Sequence, residues 1–183
     1  GRSGQWQWAL LLLQKVAESS LDVDTISFNA AISACAGAGQ WRAALLVQSE
    51  MVPASVPADL VTHNALVSAY ERAGLWEQAL AEMRRMRCAG IAPDDYTLNG
   101  AVSACGRGRQ WQLALRLLLG APRQEVRVGT VTYGSAISAC EKSGHWEQAL
   151  RLLWDMRDRR KRWDIMAFSS AISACEKGHQ WQG

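Results

Sequence analysis

Short polar side chains recur along this chain at one fixed interval, and they are of the kinds that recognise ligands by hydrogen bonds and charge. We call each set of positions 35 residues apart a column. An asparagine column is followed four residues later by a serine column and eight residues later by a cation column, and an acid column lies five residues before it. In that order, the members are Asn29, Asn64, Asn99, Gly134 and Ser169; Ser33, Ser68, Ser103, Ser138 and Ser173; Gly37, Arg72, Arg107, Lys142 and Lys177; and Asp24, Asp59, Asp94, Gly129 and Asp164.

An apolar column lies three residues before the asparagine column. Steps of three or four residues keep side chains on one helix face, and a step of eight stays within about a quarter turn of it. One face therefore offers an apolar side chain, an amide, a hydroxyl and a cation in each interval, which suits the base faces, base edges and phosphates of a single-stranded nucleic acid. The apolar column comprises Ile26, Val61, Tyr96, Val131 and Met166.

Each column taken singly also has a structural interpretation. Asn, Asp and Ser near helix starts are ordinary caps, and Lys or Arg near a helix end complements the helix dipole. The coincidence of the columns on one face favours nucleic-acid binding over capping alone.

The elements that carry these columns are predicted by the same period. Trp6, Trp41, Trp76, Trp111, Trp146 and Trp181 are spaced 35 residues apart, an interval typical of helical solenoids. Within 60–94, Thr62 is predicted to cap a helix that runs to about Arg72, Gly74 to end it, and a second helix to run from Trp76 to about Arg87. No segment alternates with a strand period. The fold class is predicted as all-α, an α-solenoid of stacked antiparallel helix pairs.

The period also places the repeat boundaries. Residues 25–59, 60–94, 95–129 and 130–164 form four complete repeats, flanked by a partial repeat at 1–24 (a second helix) and another at 165–183 (a first helix). We expect one continuous solenoid, a fragment of a longer array. The repeat 95–129 is expected to have an irregular second helix that stops early at Gly120 and Pro122.

Composition excludes several classes of protein. The chain has 183 residues, of which 49% are hydrophobic and 20% charged, and a net charge of +3. No apolar run is long enough to span a membrane, and no targeting segment is visible. Four of the five cysteines recur with the repeat, which predicts buried thiols rather than a metal site, and no cofactor is expected. The Trp column is likewise interpreted as core at a helix start.

An enzymatic function is not predicted. His63, His145 and His179 are expected at loop or helix-edge positions, without a nucleophile at a plausible spacing. Phosphate-loop, dinucleotide-binding and H-E-x-x-H motifs are all missing from the sequence.

The stretch VTHNALVSAYERAGLWEQALAEMRRMRCAGIAPD (61–94) resembles the consensus of the pentatricopeptide repeat family, in its pure 35-residue type. The resemblance extends over essentially the whole chain. Tetratricopeptide repeats are the main alternative, but they favour 34 residues and place their Trp early in the first helix. The resemblance implies a right-handed, tetratricopeptide-like superhelix with the first helices lining its groove.

The resemblance further implies that the chain binds single-stranded RNA with one base per repeat. The asparagine and acid columns together would choose the base, and the pairs Asn29–Asp59 and Asn64–Asp94 match the family's uridine-preferring pair. Two adjacent uridines would thus be favoured by repeats 25–59 and 60–94. The base-reading residues would be Asn29, Asp59, Asn64, Asp94, Asn99, Asp164 and Ser169, the apolar column would sandwich bases, and Arg72, Arg107, Lys142 and Lys177 would contact phosphate.

Two repeats depart from the pattern. Asn99 is opposite Gly129, so its orienting carboxylate is gone, and Gly134 leaves Asp164 without an amide to hold. We expect these repeats to bind weakly or without base preference, and Ser169 has no acid partner within the sequence.

The family resemblance points to RNA processing, stability, editing or translation in mitochondria or chloroplasts, with other RNA-processing proteins as further partners. The alternative is a protein–protein interaction solenoid. Salt separates the two, because phosphate contacts release counterions whereas a peptide groove depends far less on salt.

Overall fold

The computed structural model describes residues 5–18, 24–121, 126, 128–158 and 164–178. These residues form ten helices and no β-strand, which confirms the predicted all-α solenoid class. The helices are α1 (Gln5–Glu18), α2 (Thr25–Gly37), α3 (Trp41–Met51), α4 (Leu60–Ala73), α5 (Trp76–Cys88), α6 (Asp95–Arg107), α7 (Trp111–Gly120), α8 (Thr130–Lys142), α9 (Trp146–Asp158) and α10 (Ile165–Lys177).

The chain divides into two compact units, Gly1–Ala92 and Pro93–Gly183. In the first unit, α2 and α4 pack side by side, and α3 packs against both of them. In the second unit, α6, α8 and α10 form one row of neighbouring helices, and α7 and α9 pack against that row. Turns of two or three residues join the two helices of a pair, a length typical of antiparallel neighbours.

Helix starts repeat at the predicted interval. The five first helices (α2, α4, α6, α8 and α10) begin 35 residues apart, as do the four second helices that begin with Trp (α3, α5, α7 and α9). The tryptophans at those four starts are half-buried, and Trp181 lies outside the described residues. α7 ends at Gly120 after 10 residues, as expected, and Pro122 lies outside the described residues.

The acid column caps the first helices. Asp24, Asp59 and Asp94 each accept a hydrogen bond from the backbone N–H three residues on, at 2.8, 2.9 and 2.8 Å. The prediction that Thr62 caps α4 is therefore wrong. Thr62 is the third residue of the helix, and its hydroxyl accepts the backbone N–H of Asp59 at 3.1 Å, completing a capping box.

Small residues let the helices pack closely. Ala69, Ala104, Ala139 and Ala174 are fully buried, and Cys35, Cys105 and Cys140 lie beside this alanine set without exposure. Burial raises the pKa of the Cys105 and Cys140 thiols to about 11, so these thiols are poor nucleophiles. All five cysteines are free, and those of the repeat act in packing, whereas Cys88 is exposed.

Candidate nucleic-acid interface

The apolar column lies on the surface. Its members occupy the second position of each first helix, and their exposed fractions run from 53% for Val61 to 76% for Ile26. The remaining members are Tyr96, Val131 and Met166. Scattered exposed apolar residues are ordinary, but here large apolar side chains are exposed at the same helix position twice in the first unit and three times in the second, and the core of neither unit uses them.

Asn29, Asp59 and Thr62 form a hydrogen-bonded cluster between α2 and α4. Asn29 Nδ2 donates to Asp59 Oδ1 at 3.0 Å, and Asn29 Oδ1 accepts from the Thr62 hydroxyl at 2.6 Å. The capping acid of α4 and the third residue of α4 thus hold both ends of an amide on the preceding first helix. Asn29 is only 7% exposed, because it lies between the two helices.

The Asp59 carboxylate is the electrostatic centre of this cluster. Burial alone would raise its pKa, but the backbone N–H of Thr62, the Asn29 amide, the Thr62 hydroxyl and the backbone N–H of Val61 together bring that pKa below the usual value. Asp59 is therefore ionised at neutral pH. An amide has two N–H groups and two acceptor lone pairs, so Asn29 retains one N–H and one lone pair for a ligand.

The second predicted pair divides between the two units. Asn64 is half-buried on α4, in the first unit. Asp94 caps α6, in the second unit, by accepting the backbone N–H of Thr97. Asn64 and Asp94 both make interactions within the chain, and their pairing stays a prediction.

In the repeat 95–129 a different acid occupies the place of the missing one. Asp95 Oδ1 accepts the backbone N–H of Gly129 at 2.8 Å and the Thr132 hydroxyl at 2.9 Å. A Cβ at Gly129 would collide with the Asp95 carboxylate, so the absent side chain and the incoming acid are complementary. Asn99 Oδ1 accepts instead from the Ser135 hydroxyl, at 2.9 Å.

Asp95 and Ser135 were not predicted as site residues. The sequence does mark Asp95 as unusual, because the equivalent positions 35 residues before and after it are Leu60 and Thr130, which are not acids. An acid therefore appears at this position in the one complete repeat whose closing acid is glycine. Its hydrogen bonds to Gly129 and Thr132 depend on the packing of α6 against α8, which the sequence does not show.

A groove of about 250 Å³ lies along α6, α8 and the start of α10. Val131 and Met166 of the apolar column line it together with Gly134, and its polar lining includes Lys142 and Asp164. A Cβ at Gly134 would meet nothing within 4 Å, so this glycine leaves open space where other repeats carry asparagine.

Asp164 caps α10 only weakly, its carboxylate accepting the backbone N–H of Met166 at 3.4 Å. Ser169 is exposed, and its hydroxyl donates to the Met166 carbonyl at 3.4 Å.

Members of the cation column lie near the ends of the first helices and are exposed, but their partners differ. Arg72 Nη1 donates to the Gly37 carbonyl at 3.5 Å, and Lys177 Nζ donates to Glu141 Oε1 at 2.9 Å. Arg107 also interacts within the chain. Among the residues that the structure describes, Lys142 has no ion-pair partner.

The expected positions of the histidines need one correction. His63 is buried within α4, not at a loop or helix edge, and its Nδ1 lies 2.6 Å from Glu82 Oε1 on α5. Glu82 is fully buried and also accepts from Arg85 at 3.1 Å, which compensates the buried carboxylate. His145 is exposed and its ring lies 4.0 Å from that of Trp111, while His179 lies outside the described residues.

Two models of one repeat family match parts of this chain. The model described as "PPR repeat family" matches residues 58–107, and the model described as "PPR repeat" matches 26–52 and 131–160. The comparison with curated proteins gives no match. None of the helices in the described part of the chain is long and apolar enough to cross a membrane.

Solved structures from the same family are similar to this chain. The chain is similar to the pentatricopeptide repeat protein PPR10 of maize in complex with an 18-nt psaJ RNA element, with 26% identity and a TM-score of 0.82 over 97% of this chain. The chain spans about a quarter of PPR10, 26% of its length. It is also similar in fold to the PPR domain of Arabidopsis thaliana protein-only RNase P 1 in complex with tRNA, with 13% identity, a TM-score of 0.78, and coverage of 94% of this chain and 91% of that one.

Proposed function

The chain belongs to the pentatricopeptide repeat family, and from that premise we propose that it binds single-stranded RNA along the face that carries the apolar column. The observation that carries the proposal is the exposure of all five apolar side chains, which are more than half exposed at one position of successive first helices. Base faces stack on apolar side chains whatever their sequence, so this surface suits unpaired bases.

We propose further that each of the repeats 25–59, 60–94, 95–129 and 130–164 seats one base. The groove of about 250 Å³ is lined by Val131 and Met166, which supply the apolar contacts that such a seat requires. Gly134 widens it at the position where other repeats carry an amide. Base preference is expected to be weak in this repeat, because no amide stands beside Asp164.

Uridine preference is proposed for repeats 25–59 and 60–94. Uracil offers an N3–H donor beside carbonyl acceptors, and an amide can serve both. The hydrogen bonds of Asn29 to Asp59 and Thr62 support this proposal, because they hold the amide in one orientation and leave one N–H and one lone pair. Because Asn29 is buried between α2 and α4, it is expected to contact only the edge of a base.

The direct test is a binding titration of short U-rich, C-rich and A-rich RNAs at two salt concentrations. Val131→Ser and Met166→Ala should weaken all three RNAs by about 1 kcal/mol each, near the low end for loss of a stacking surface. Leu46→Ser is the matched control, because Leu46 is 67% exposed but lies on a second helix, α3. Equal effects from the control would contradict the proposed face.

The same titration separates RNA from the alternative of a peptide ligand. RNA affinity must fall as salt rises, whereas a peptide groove would be nearly insensitive. Asn29→Ala should reduce the preference for uridine by about 1 kcal/mol, the scale of a net hydrogen bond. A chain that binds RNA with no change of preference in this variant would refute the base-reading role but not RNA binding.

The family's usual setting makes a mitochondrial or chloroplast RNA the natural target of processing, stabilisation, editing or translation. Organelle fractionation of the full-length protein, followed by sequencing of crosslinked RNA, tests this assignment. Recovery of cytosolic RNA alone would contradict it.

A further inference from the structure

Glu141 binds two donors from the neighbouring first helix with one oxygen. Its Oε1 accepts from the Ser173 hydroxyl and from the Lys177 ammonium, each at 2.9 Å. Ser173 and Lys177 are four residues apart on α10, so their side chains lie on one face and converge on that oxygen. A carboxylate oxygen resembles a phosphate oxygen here, since both are anionic acceptors that favour charge-assisted hydrogen bonds.

The same pair of donors occurs one repeat earlier without an acid. Ser138 and Lys142 are four residues apart on α8, and both line the groove of about 250 Å³. The position equivalent to Glu141, 35 residues earlier, is Gly106 on α6. A Cβ on Gly106 would lie 3.1 Å from the Cβ of Ala139, so the close approach of α6 and α8 leaves little room for a longer side chain.

We propose that Ser138 and Lys142 form a phosphate seat, and that Glu141 fills the matching seat of Ser173 and Lys177 as an internal mimic of phosphate. This inference rests on the proposed RNA-binding function. Its consequence is that the cation column does not act uniformly, because an RNA backbone contacts Lys142 while Lys177 is already neutralised.

The surroundings of Glu141 support its role as an anion. Burial acts to raise the pKa of Glu141, but hydrogen bonds from Lys177 and Ser173 and the positive charges of Lys177 and Lys142 together lower it. The Glu141 side chain is only 15% exposed, whereas that of Lys177 is 54% exposed. Glu141 is thus ionised at neutral pH and is held in place by the two donors it occupies.

RNA binding by matched variants tests the seat. With a short oligouridylate at two salt concentrations, Ser138→Ala and Lys142→Ala should each weaken binding by about fivefold or more, the scale of a net or charge-assisted hydrogen bond. Lys142→Ala should also make the salt slope shallower by about 0.7. Ser173→Ala and Lys177→Ala should change affinity by less than about twofold, because both side chains donate to Glu141 and neither would lose a hydrogen bond to RNA.

Removing the internal anion tests the mimic. Glu141→Gln should tighten RNA binding by about fivefold, the scale of one regained hydrogen bond, and steepen the salt slope by about 0.7. The double variant Glu141→Gln/Lys177→Ala should lose that gain. Lys177→Ala weakening the wild type as much as Lys142→Ala does would overturn the mimic, and so would an unchanged affinity of Glu141→Gln.

An RNA-free measurement separates this inference from the proposed function. Reductive methylation followed by mass spectrometry should modify Lys142 and the exposed Lys15 faster than Lys177, with Glu141→Gln removing the protection of Lys177. Protection that persists in Glu141→Gln contradicts the mimic. Failure of the wild type to bind RNA at either salt concentration refutes the proposed function and the Ser138–Lys142 seat with it, while the methylation rates still decide whether Glu141 holds Lys177.

Discussion

The Asn29 amide has only one favourable orientation in its cluster. A rotation by half a turn would bring its carbonyl oxygen against the Asp59 carboxylate and its NH₂ group against the Thr62 hydroxyl, which now donates to it. Two acceptors facing each other are repulsive, so the cluster selects the observed orientation. A side chain ordered before the ligand arrives does not lose that freedom on binding, which would favour the proposed base discrimination by Asn29.

Asp59→Ala should lower the free energy of unfolding by about 1–2 kcal/mol at neutral pH, the range for loss of a helix N-cap. The folded-state pKa of Asp59 lies below its usual value, so its contribution is present above the unfolded pKa of about 3.9 and is lost as pH falls through the folded pKa. Urea unfolding between neutral pH and about pH 3 should therefore show the wild type and the variant converging in acid.

Asp24→Ala is the control for that experiment. Asp24 caps α2 through Ser27, and those hydrogen bonds lower its pKa in the same way, but no asparagine partner is described for it. The control should lose cap stability without altering base preference. Parallel pH profiles for Asp59→Ala and the wild type would contradict the assigned role of the Asp59 carboxylate.

At the scale of the helices, the turn between the two helices of a pair has one position that requires a left-handed backbone. Gly39, Gly74 and Gly144 take φ values of 73°, 71° and 76° there, and the equivalent position between α6 and α7 is Arg109, at 56°. A side chain in this region is strained, whereas glycine is not. The turn between α6 and α7 is therefore strained.

Arg109→Gly should raise the stability of the chain by about 1 kcal/mol, because the left-handed strain of a non-glycine residue is about 1–2 kcal/mol and glycine's extra chain entropy offsets part of it. Thermal unfolding should show a midpoint higher by a few degrees. Arg109→Ala is the control, since it removes the charge but keeps the Cβ, and it should give no such gain.

At the start of α8 the Asp95 carboxylate lies against Gly129, the glycine of the acid column, so substitutions at these two positions should be coupled. Gly129→Asp, which restores the acid column, should destabilise the chain by about 1–3 kcal/mol, because its Cβ collides with the Asp95 carboxylate and two like charges meet. Asp95→Thr, which copies the residue at position 130, should lose about 1 kcal/mol with the two hydrogen bonds to Gly129 and Thr132.

The double variant Asp95→Thr/Gly129→Asp should be more stable than either single variant. A double-mutant cycle from chemical unfolding measures this coupling directly. Additive effects would mean that the Asp95 carboxylate does not compete for the space of a carboxylate at position 129.

At the scale of the whole molecule, we expect electrostatics to make only a modest contribution to the proposed RNA binding. The net charge is +3, and the four cations of the cation column are a small fraction of the 20 Lys and Arg residues. Since Lys177 is already paired with Glu141, we expect the proposed RNA affinity to come largely from the apolar column.

The salt dependence of RNA binding should consequently be shallow. Each phosphate contact on a single strand contributes about −0.7 to the slope of log K against log salt, so one to three contacts give a slope between about −0.7 and −2. Titration over a range of salt concentrations measures it. A slope steeper than about −3 would require cations beyond the cation column, and a slope near zero would contradict phosphate contacts by that column.

The sequence by itself determined the repeat, the family and the all-α fold, because helix starts, caps and turns depend on residues within a few positions of each other. Asp24, Asp59 and Asp94 each cap the helix that begins at the next residue by accepting the backbone N–H three residues on, and the Trp and apolar columns follow the 35-residue period.

Tertiary structure decided the contacts between residues far apart in the chain. His63 with Glu82, Asp95 with Gly129 and Glu141 with Lys177 join residues 19, 34 and 36 positions apart, and none of these pairs was predicted from the sequence. Which acid meets which donor depends on how closely two helices approach, and this is set by the packing of small residues such as Gly106 against Ala139. A repeat period places equivalent residues at equivalent positions, but it does not determine which of them are already hydrogen-bonded to a neighbouring side chain.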